Sequence, residues 1–260
     1  MDEDVRRYYE GGVEQNRLSQ GSSLIEFIRT KELLNRFMPP PPADVLDVGG
    51  GPGEYAAWLA DRGYTVRLVD ATPLHVAQAA ERAAHRFEAR EGEATALEEA
   101  DAAFDVVLLL GPLYHLHKRE DRLAALREAR RVLRPGGLLA AAAISRFASL
   151  LDTLVRGSVR DRAVWPVVEH DLAYGRHVSP VGSHLFTTAY FHLPMELREE
   201  VQTADFELEA IFGLEGPGWL RIETLDDEST REDVLHVARA VETEPSLLGA
   251  SAHLLAIGRS

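Results

Sequence analysis

The residues with the plainest chemistry stand in one run, Asp47-Val48-Gly49-Gly50-Gly51-Pro52-Gly53-Glu54. An apolar segment ends there on a carboxylate and a glycine-rich turn, and a helix-compatible segment, Tyr55 to Asp61, follows. Glycine permits sharp turns and close contact between main chain and ligand because it has no Cβ to clash. A strand, a glycine turn and a helix N-terminus together are how an open α/β sheet holds a nucleotide-like ligand. The spacing narrows the ligand. Glycines at 49, 51 and 53 make G-x-G-x-G, whereas a dinucleotide fingerprint is G-x-G-x-x-G, and position 54 is Glu. A glutamate at a helix start repels phosphate and suits a ligand with a cationic end.

The flanking sequence predicts the frame for this turn. A helix is expected from Ser22 to about Phe37, stopped by the prolines at 39–42. Strands are expected at Asp44–Val48, Thr65–Val69, Arg86–Glu91, Phe104–Leu110 and Gly137–Ile144, with helices at Glu54–Arg62, Pro73–His85 and Glu120–Leu133 between them. That alternation predicts an α/β fold with a doubly wound, mostly parallel sheet. The rhythm breaks after Ser145; residues 146–193 read as helical pieces and loops. A helix at Pro194–Thr203, strands at Glu207–Phe212 and His253–Gly258, and a helix from about Glu232 to Val241 complete a seven-stranded sheet. The expected organisation is a helical lid at 1–42, a ligand-binding core at 43–145, a cap at 146–193 over the substrate site, and the rest of the core sheet at 194–260.

From Asp47 to Gly53 the chain resembles the first motif of the class I S-adenosylmethionine-dependent methyltransferases. The resemblance continues through Asp70, Glu93, the strand ending at Gly111 and Leu133-Arg134-Pro135-Gly136-Gly137, covering about residues 44 to 145. It implies a Rossmann-like methyltransferase fold and S-adenosyl-L-methionine as cofactor. Gly49, Gly51 and Gly53 would pass the backbone against its methionine part, and Asp47 would receive its amino group. Asp70, followed by Ala71, would accept the two ribose hydroxyls, because a carboxylate has two acceptor oxygens. Glu93 and Ala94 would meet the adenine; members of the family usually carry Asp where this chain has Glu93. Leu110 and Gly111 would lie against the cofactor. Arg29 could pair with the cofactor carboxylate as a fork.

Methyl transfer from a sulfonium is a direct displacement needing alignment rather than a metal. A base is required only for a protonated acceptor; His115 and His192 are the candidates. Tyr8, Tyr9, Tyr114 and Trp165 could wall a flat organic acceptor. No metal is expected, because His115 and His117 would face opposite ways in an extended segment.

The formal net charge of −14 argues against nucleic acid and anionic membrane as partners. No apolar run is long enough to span a bilayer, there is no cysteine, and the acidic start lacks signal-peptide features. The expectation is a cytoplasmic enzyme moving a methyl group to O, N or C of a small metabolite, with homo-oligomerisation left open. The alternatives are an S-adenosylmethionine-binding scaffold or sensor without transferase activity, and an NAD-dependent oxidoreductase.

Overall fold

The computed structural model describes residues 21–178, 186–218, 220 and 227–260. In chain order the elements are α1 (Gly21–Phe37), β1 (Asp44–Val48), α2 (Glu54–Ala60), β2 (Thr65–Asp70), α3 (Pro73–Ala83), β3 (Glu88–Glu91) and β4 (Phe104–Leu109). Then follow α4 (Pro112–His115), α5 (Arg119–Val132), β5 (Leu133–Ser145), α6 (Ala148–Val155), α7 (Trp165–Tyr174), β6 (Arg176–His177) and β7 (Ala189–His192). The chain closes with α8 (Pro194–Thr203), β8 (Glu207–Gly213), α9 (Glu228–Val241) and β9 (His253–Arg259).

The strands pair in the order β3-β2-β1-β4-β5-β9-β8, parallel from β3 to β5 and with β9 antiparallel to both neighbours. A short antiparallel ribbon of β6 and β7 joins the end of β5, where Ile144 pairs with Phe191 and Ser145 with His192. This ribbon corrects the reading of 146–193 as helices and loops alone.

Successive residues of the central strands alternate between two cores. Leu46, Val107, Leu109, Leu139 and Ala141 face α5 and α8, while Val45, Val106, Leu108, Leu138 and Ala140 face α1, α2 and α3. Strands covered on both faces must be apolar at every position, which is why these segments read as solid runs rather than alternating ones. The chain winds one way from β1 to β3 and the other way from β4 onward, so a crevice opens beyond the carboxyl ends of β1 and β4.

Candidate active site

The crevice is a cleft lined by the turn after β1, the end of β2, the segment after β3 and the turn after β4.

Its floor is the glycine turn. Gly49, at φ 69°, donates its N–H to the Val69 carbonyl at 2.7 Å, and a Cβ there would sit 2.7 Å from Pro112 Cγ. Gly51, at φ 55°, donates to Asp70 Oδ2 at 2.9 Å, and a Cβ there would meet no described residue within 4 Å. The left-handed backbone explains glycine at both positions. Among the described residues, Gly51 faces open space in the cleft. Gly53 is placed differently from the expectation. It caps α2, does not line the cleft, and a Cβ on it would come within 3.0 Å of Phe87 Cζ, so its role is packing against α3.

Asp47 lies beneath this floor, 1% exposed, and among the described residues neither carboxylate oxygen has a hydrogen-bond partner. Burial, and then the charge of Asp70, push its pKa up to about 7. An orphaned carboxylate on a cleft wall is costly unless a cation arrives to pair with it.

Asp70 is also in place but already occupied. Oδ1 accepts from the Thr72 N–H at 2.8 Å and lies 3.2 Å from His75 Nδ1, while Oδ2 takes the Gly51 N–H. Ala71, Glu93, Ala94, Leu110 and Gly111 line the cleft as expected. Across from the floor, α4 presents Tyr114 and His115, both lining residues. The Tyr114 hydroxyl donates to the Leu110 carbonyl at 3.3 Å, and the Phe186 ring stacks on His115 with centroids 6.1 Å apart.

Other expected site residues lie elsewhere. Arg29 is fully buried in α1, and its guanidinium is taken up by Glu32 and Glu242 rather than facing the cleft. His192 is fully buried, with Nε2 3.3 Å from Glu200, and burial lowers its pKa. It has no face on the cleft, because β7 turns it toward α8. Trp165 starts α7, donates to Glu169 at 2.9 Å and does not line the cleft. Tyr8 and Tyr9 lie outside the described residues. Sequence reasoning missed Glu26, Tyr55, Thr72 and His75, all on the cleft wall. His75 had a usable signal: it stands on the first turn of a helix that begins three residues past Asp70.

A family model described as a methyltransferase domain matches residues 45–137, the stretch from β1 to the start of β5 that builds this cleft. Residues 45–137 form a methyltransferase domain. The methyltransferase is 27% identical over 209 residues to the ubiquinone biosynthesis O-methyltransferase of Xanthomonas campestris pv. campestris (strain B100), covering 78% of this chain and 77% of that protein. It is 37% identical over 127 residues to the methyltransferase GfsG of Streptomyces halstedii, covering 46% of this chain and 41% of the other. Its fold matches a S-adenosylmethionine-dependent methyltransferase of Methanosarcina mazei with a TM-score of 0.61 at 18% identity, over 88% of this chain and 96% of that one. The residues present suit S-adenosylmethionine: the unpartnered Asp47 carboxylate answers its ammonium group, and the bare Gly51 Cα leaves it room.

Proposed function

We propose that this methyltransferase moves a methyl group to O, N or C of a small organic acceptor by direct displacement. The observation that carries the reading is the buried, unpartnered Asp47 carboxylate on the wall of a cleft whose opposite side is aromatic. When bound, S-adenosylmethionine supplies an electrophilic methyl carbon on a sulfonium. Asp47 accepts from the ammonium and anchors the methionine end. Asp70 accepts from the ribose. A carboxylate offers about four acceptor sites and three are in use here. Gripping both hydroxyls thus requires one present donor to give way, and His75, at 3.2 Å, is the longest contact. Asp70→Ala should weaken cofactor binding by roughly 1–3 kcal/mol, measured by calorimetry; unchanged affinity removes Asp70 from the ribose role.

On the acceptor side, Tyr114 and Phe186 form a wall and His115 takes the acceptor proton where one must leave. His115→Ala should lower kcat by about 10²–10⁴ and leave cofactor affinity within about twofold. An equal loss in both makes His115 structural. The expected partner is a small molecule rather than nucleic acid or membrane; no helix among the described residues is long and apolar enough to cross a bilayer. We read the acidic, cysteine-free chain as cytoplasmic. We also keep the division into a lid at 1–42, a core at 43–145, a cap at 146–193 and a second core part at 194–260, supported by the contact of Phe186 with Tyr114 and His115. Incubating a fractionated metabolite pool with methyl-labelled cofactor and recording label by mass spectrometry tests the reading. Labelled small-molecule products support it; cofactor binding without any transfer contradicts it.

A further inference from the structure

Behind the aromatic side of the cleft, one buried pair of titratable groups has no role so far. Asp171 stands in the last turn of α7 and His177 in β6, and both side chains are buried. Between them Gly175, at φ 69°, ends the helix with its N–H on the Asp171 carbonyl at 2.7 Å. The reversal brings the imidazole back beside the carboxylate, with Nδ1 2.7 Å from Asp171 Oδ2. A Cβ on Gly175 would come within 2.5 Å of Arg146 Nη2 and of the Phe191 carbonyl, so only glycine turns the chain here.

The other ring nitrogen reaches toward the cleft. His177 Nε2 lies 3.1 Å from the Phe186 carbonyl, and the imidazole is stacked on Phe191, with centroids 4.9 Å apart and planes at 15°. Among the described residues the ladder between β6 and β7 ends at the pair His177 and Ala189. Phe186 stands before that end, so the His177 side chain continues the tie where main-chain pairing stops. The Phe186 ring then meets two cleft-lining side chains of α4, Tyr114 edge-on at 6.3 Å and His115 stacked at 6.1 Å.

The chemistry of the two contacts is restrictive. A carbonyl oxygen only accepts, so Nε2 must carry a hydrogen to serve Phe186. Nδ1 then either donates a second N–H to the Asp171 carboxylate or accepts the hydrogen of the carboxylic acid. Both forms hold one proton more than a neutral imidazole beside an ionised carboxylate, and only with that proton are both contacts kept. Among the described residues the Asp171 carboxylate has no hydrogen-bond partner but His177, since Oδ1 is unpartnered. Releasing the imidazole would strand a fully buried acid. Asp171 therefore holds His177 with Nε2 toward Phe186. Neither residue lines the cleft.

We propose that Asp171 and His177 are positioning residues for methyl transfer: by hydrogen bonding the Phe186 carbonyl they seat the Phe186 ring against His115 and so set the acceptor wall, without touching the cofactor. The inference rests on the acceptor role given above to Tyr114, His115 and Phe186.

Two conservative variants separate the two contacts. In His177→Gln the side-chain amide reaches the place of Nε2 and can still donate to Phe186; in His177→Asn it reaches only the place of Nδ1 and keeps the Asp171 contact alone. Three readouts are compared: calorimetry with S-adenosylmethionine, label transfer into the fractionated metabolite pool, and the His115 ring signals in NMR spectra of protein carrying isotope-labelled histidine. Those signals are assigned by their absence from His115→Ala, and Phe186→Leu gives the shift caused by losing the stacked ring. His177→Asn should move the His115 signals in the direction of Phe186→Leu, cut label transfer about tenfold and leave cofactor affinity within about twofold. His177→Gln should keep most of the transfer and signals close to wild type. Equal losses of transfer in the two variants, a fall in cofactor affinity that matches the fall in transfer, or unmoved His115 signals in His177→Asn overturns the proposal. Phe186→Leu leaves the buried pair intact and guards against a folding defect: it should lose transfer and keep cofactor affinity, and wild-type transfer in it also overturns the proposal. Wild-type protein that binds the cofactor and moves no label overturns the proposed function instead, and the His115 signals alone then decide whether the pair seats Phe186.

Discussion

Asp47→Asn is expected to stabilise the ligand-free protein at about pH 8 and to cost it its cofactor. Burial, and then the charge of Asp70, push the folded carboxyl up to about 7 from an ordinary value of 3.8. A group whose pKa is raised on folding contributes fully below its unfolded value and loses that contribution as pH rises toward the folded value. The loss therefore builds between about pH 4 and pH 7, and by pH 8 it amounts to roughly 2–4 kcal/mol. An uncharged amide at position 47 escapes it. Urea denaturation at about pH 4 and pH 8 should show near-equal stabilities at the acid end and a more stable Asp47→Asn at the basic end. The same substitution removes the counter-charge of an ammonium in a buried site, so cofactor affinity should fall about 100-fold or more. A variant less stable at both pH values, or one that binds as tightly as wild type, removes Asp47 from this role.

The second large effect concerns the network behind α4. Arg122, 2% exposed, donates to Glu200 from both Nε and Nη2, the shortest contact being 2.7 Å. Its Nη1 donates to the Leu116 and His117 carbonyls at 2.9 and 3.1 Å, and its guanidinium lies 3.7 Å from the Tyr190 ring centroid. One side chain thus joins α5, α8 and β7 to the backbone that leaves His115. Burial alone would raise the Glu200 pKa, but hydrogen bonds from His192 and Arg122 outweigh it and hold it at about 2. Burial also lowers the His192 pKa, so the lasting counter-charge of Glu200 is Arg122.

Arg122→Ala strands a buried carboxylate and should destabilise by about 3–5 kcal/mol. In a protein of this size that is roughly 6–15 °C in Tm. A depressed carboxylate contributes above its unfolded pKa and loses the contribution as pH falls through the folded value. The gap between wild type and Arg122→Ala should therefore narrow as pH drops from about 5 toward 2. The paired change Arg122→Met with Glu200→Leu should recover most of the loss, because it removes both charges. A gap that does not depend on pH would mean that packing, not the ion pair, supplies the stability.

Much of the frame was legible because it is written locally. β1 and α8 have the limits that the apolar run before Asp47 and the proline at 194 imply. The strand-filling apolar runs at 45–46, 106–109 and 138–141 signal burial on two faces before any fold is known. The cofactor side was legible for the same reason, since the floor and the Asp70 wall stand within about one βαβ unit. What failed was decided by distant partners. Arg29 looked available for a ligand carboxylate, but Glu242, 213 positions away, meets it first. His192 looked like a base until β7 and α8 enclosed it with Glu200. Glu26 reads as an ordinary polar residue on an amphipathic helix; only the packing of α1 beside α9 and the approach of His253 bring it to the cleft. Gly53 fitted the motif, yet Phe87 and Ala79 explain why it must be glycine.

The central claim is that the turn from 49 to 53 and the carboxylate of Asp47 together hold S-adenosylmethionine by its cationic end. Titration calorimetry near pH 7, in two buffers of different ionisation enthalpy, tests it directly. Saturable binding is expected with release of about half a proton per cofactor, as Asp47 gives up its proton to pair with the ammonium, and with loss of that release in Asp47→Asn. Binding with no proton released, or binding of a nicotinamide dinucleotide in place of S-adenosylmethionine, would contradict it.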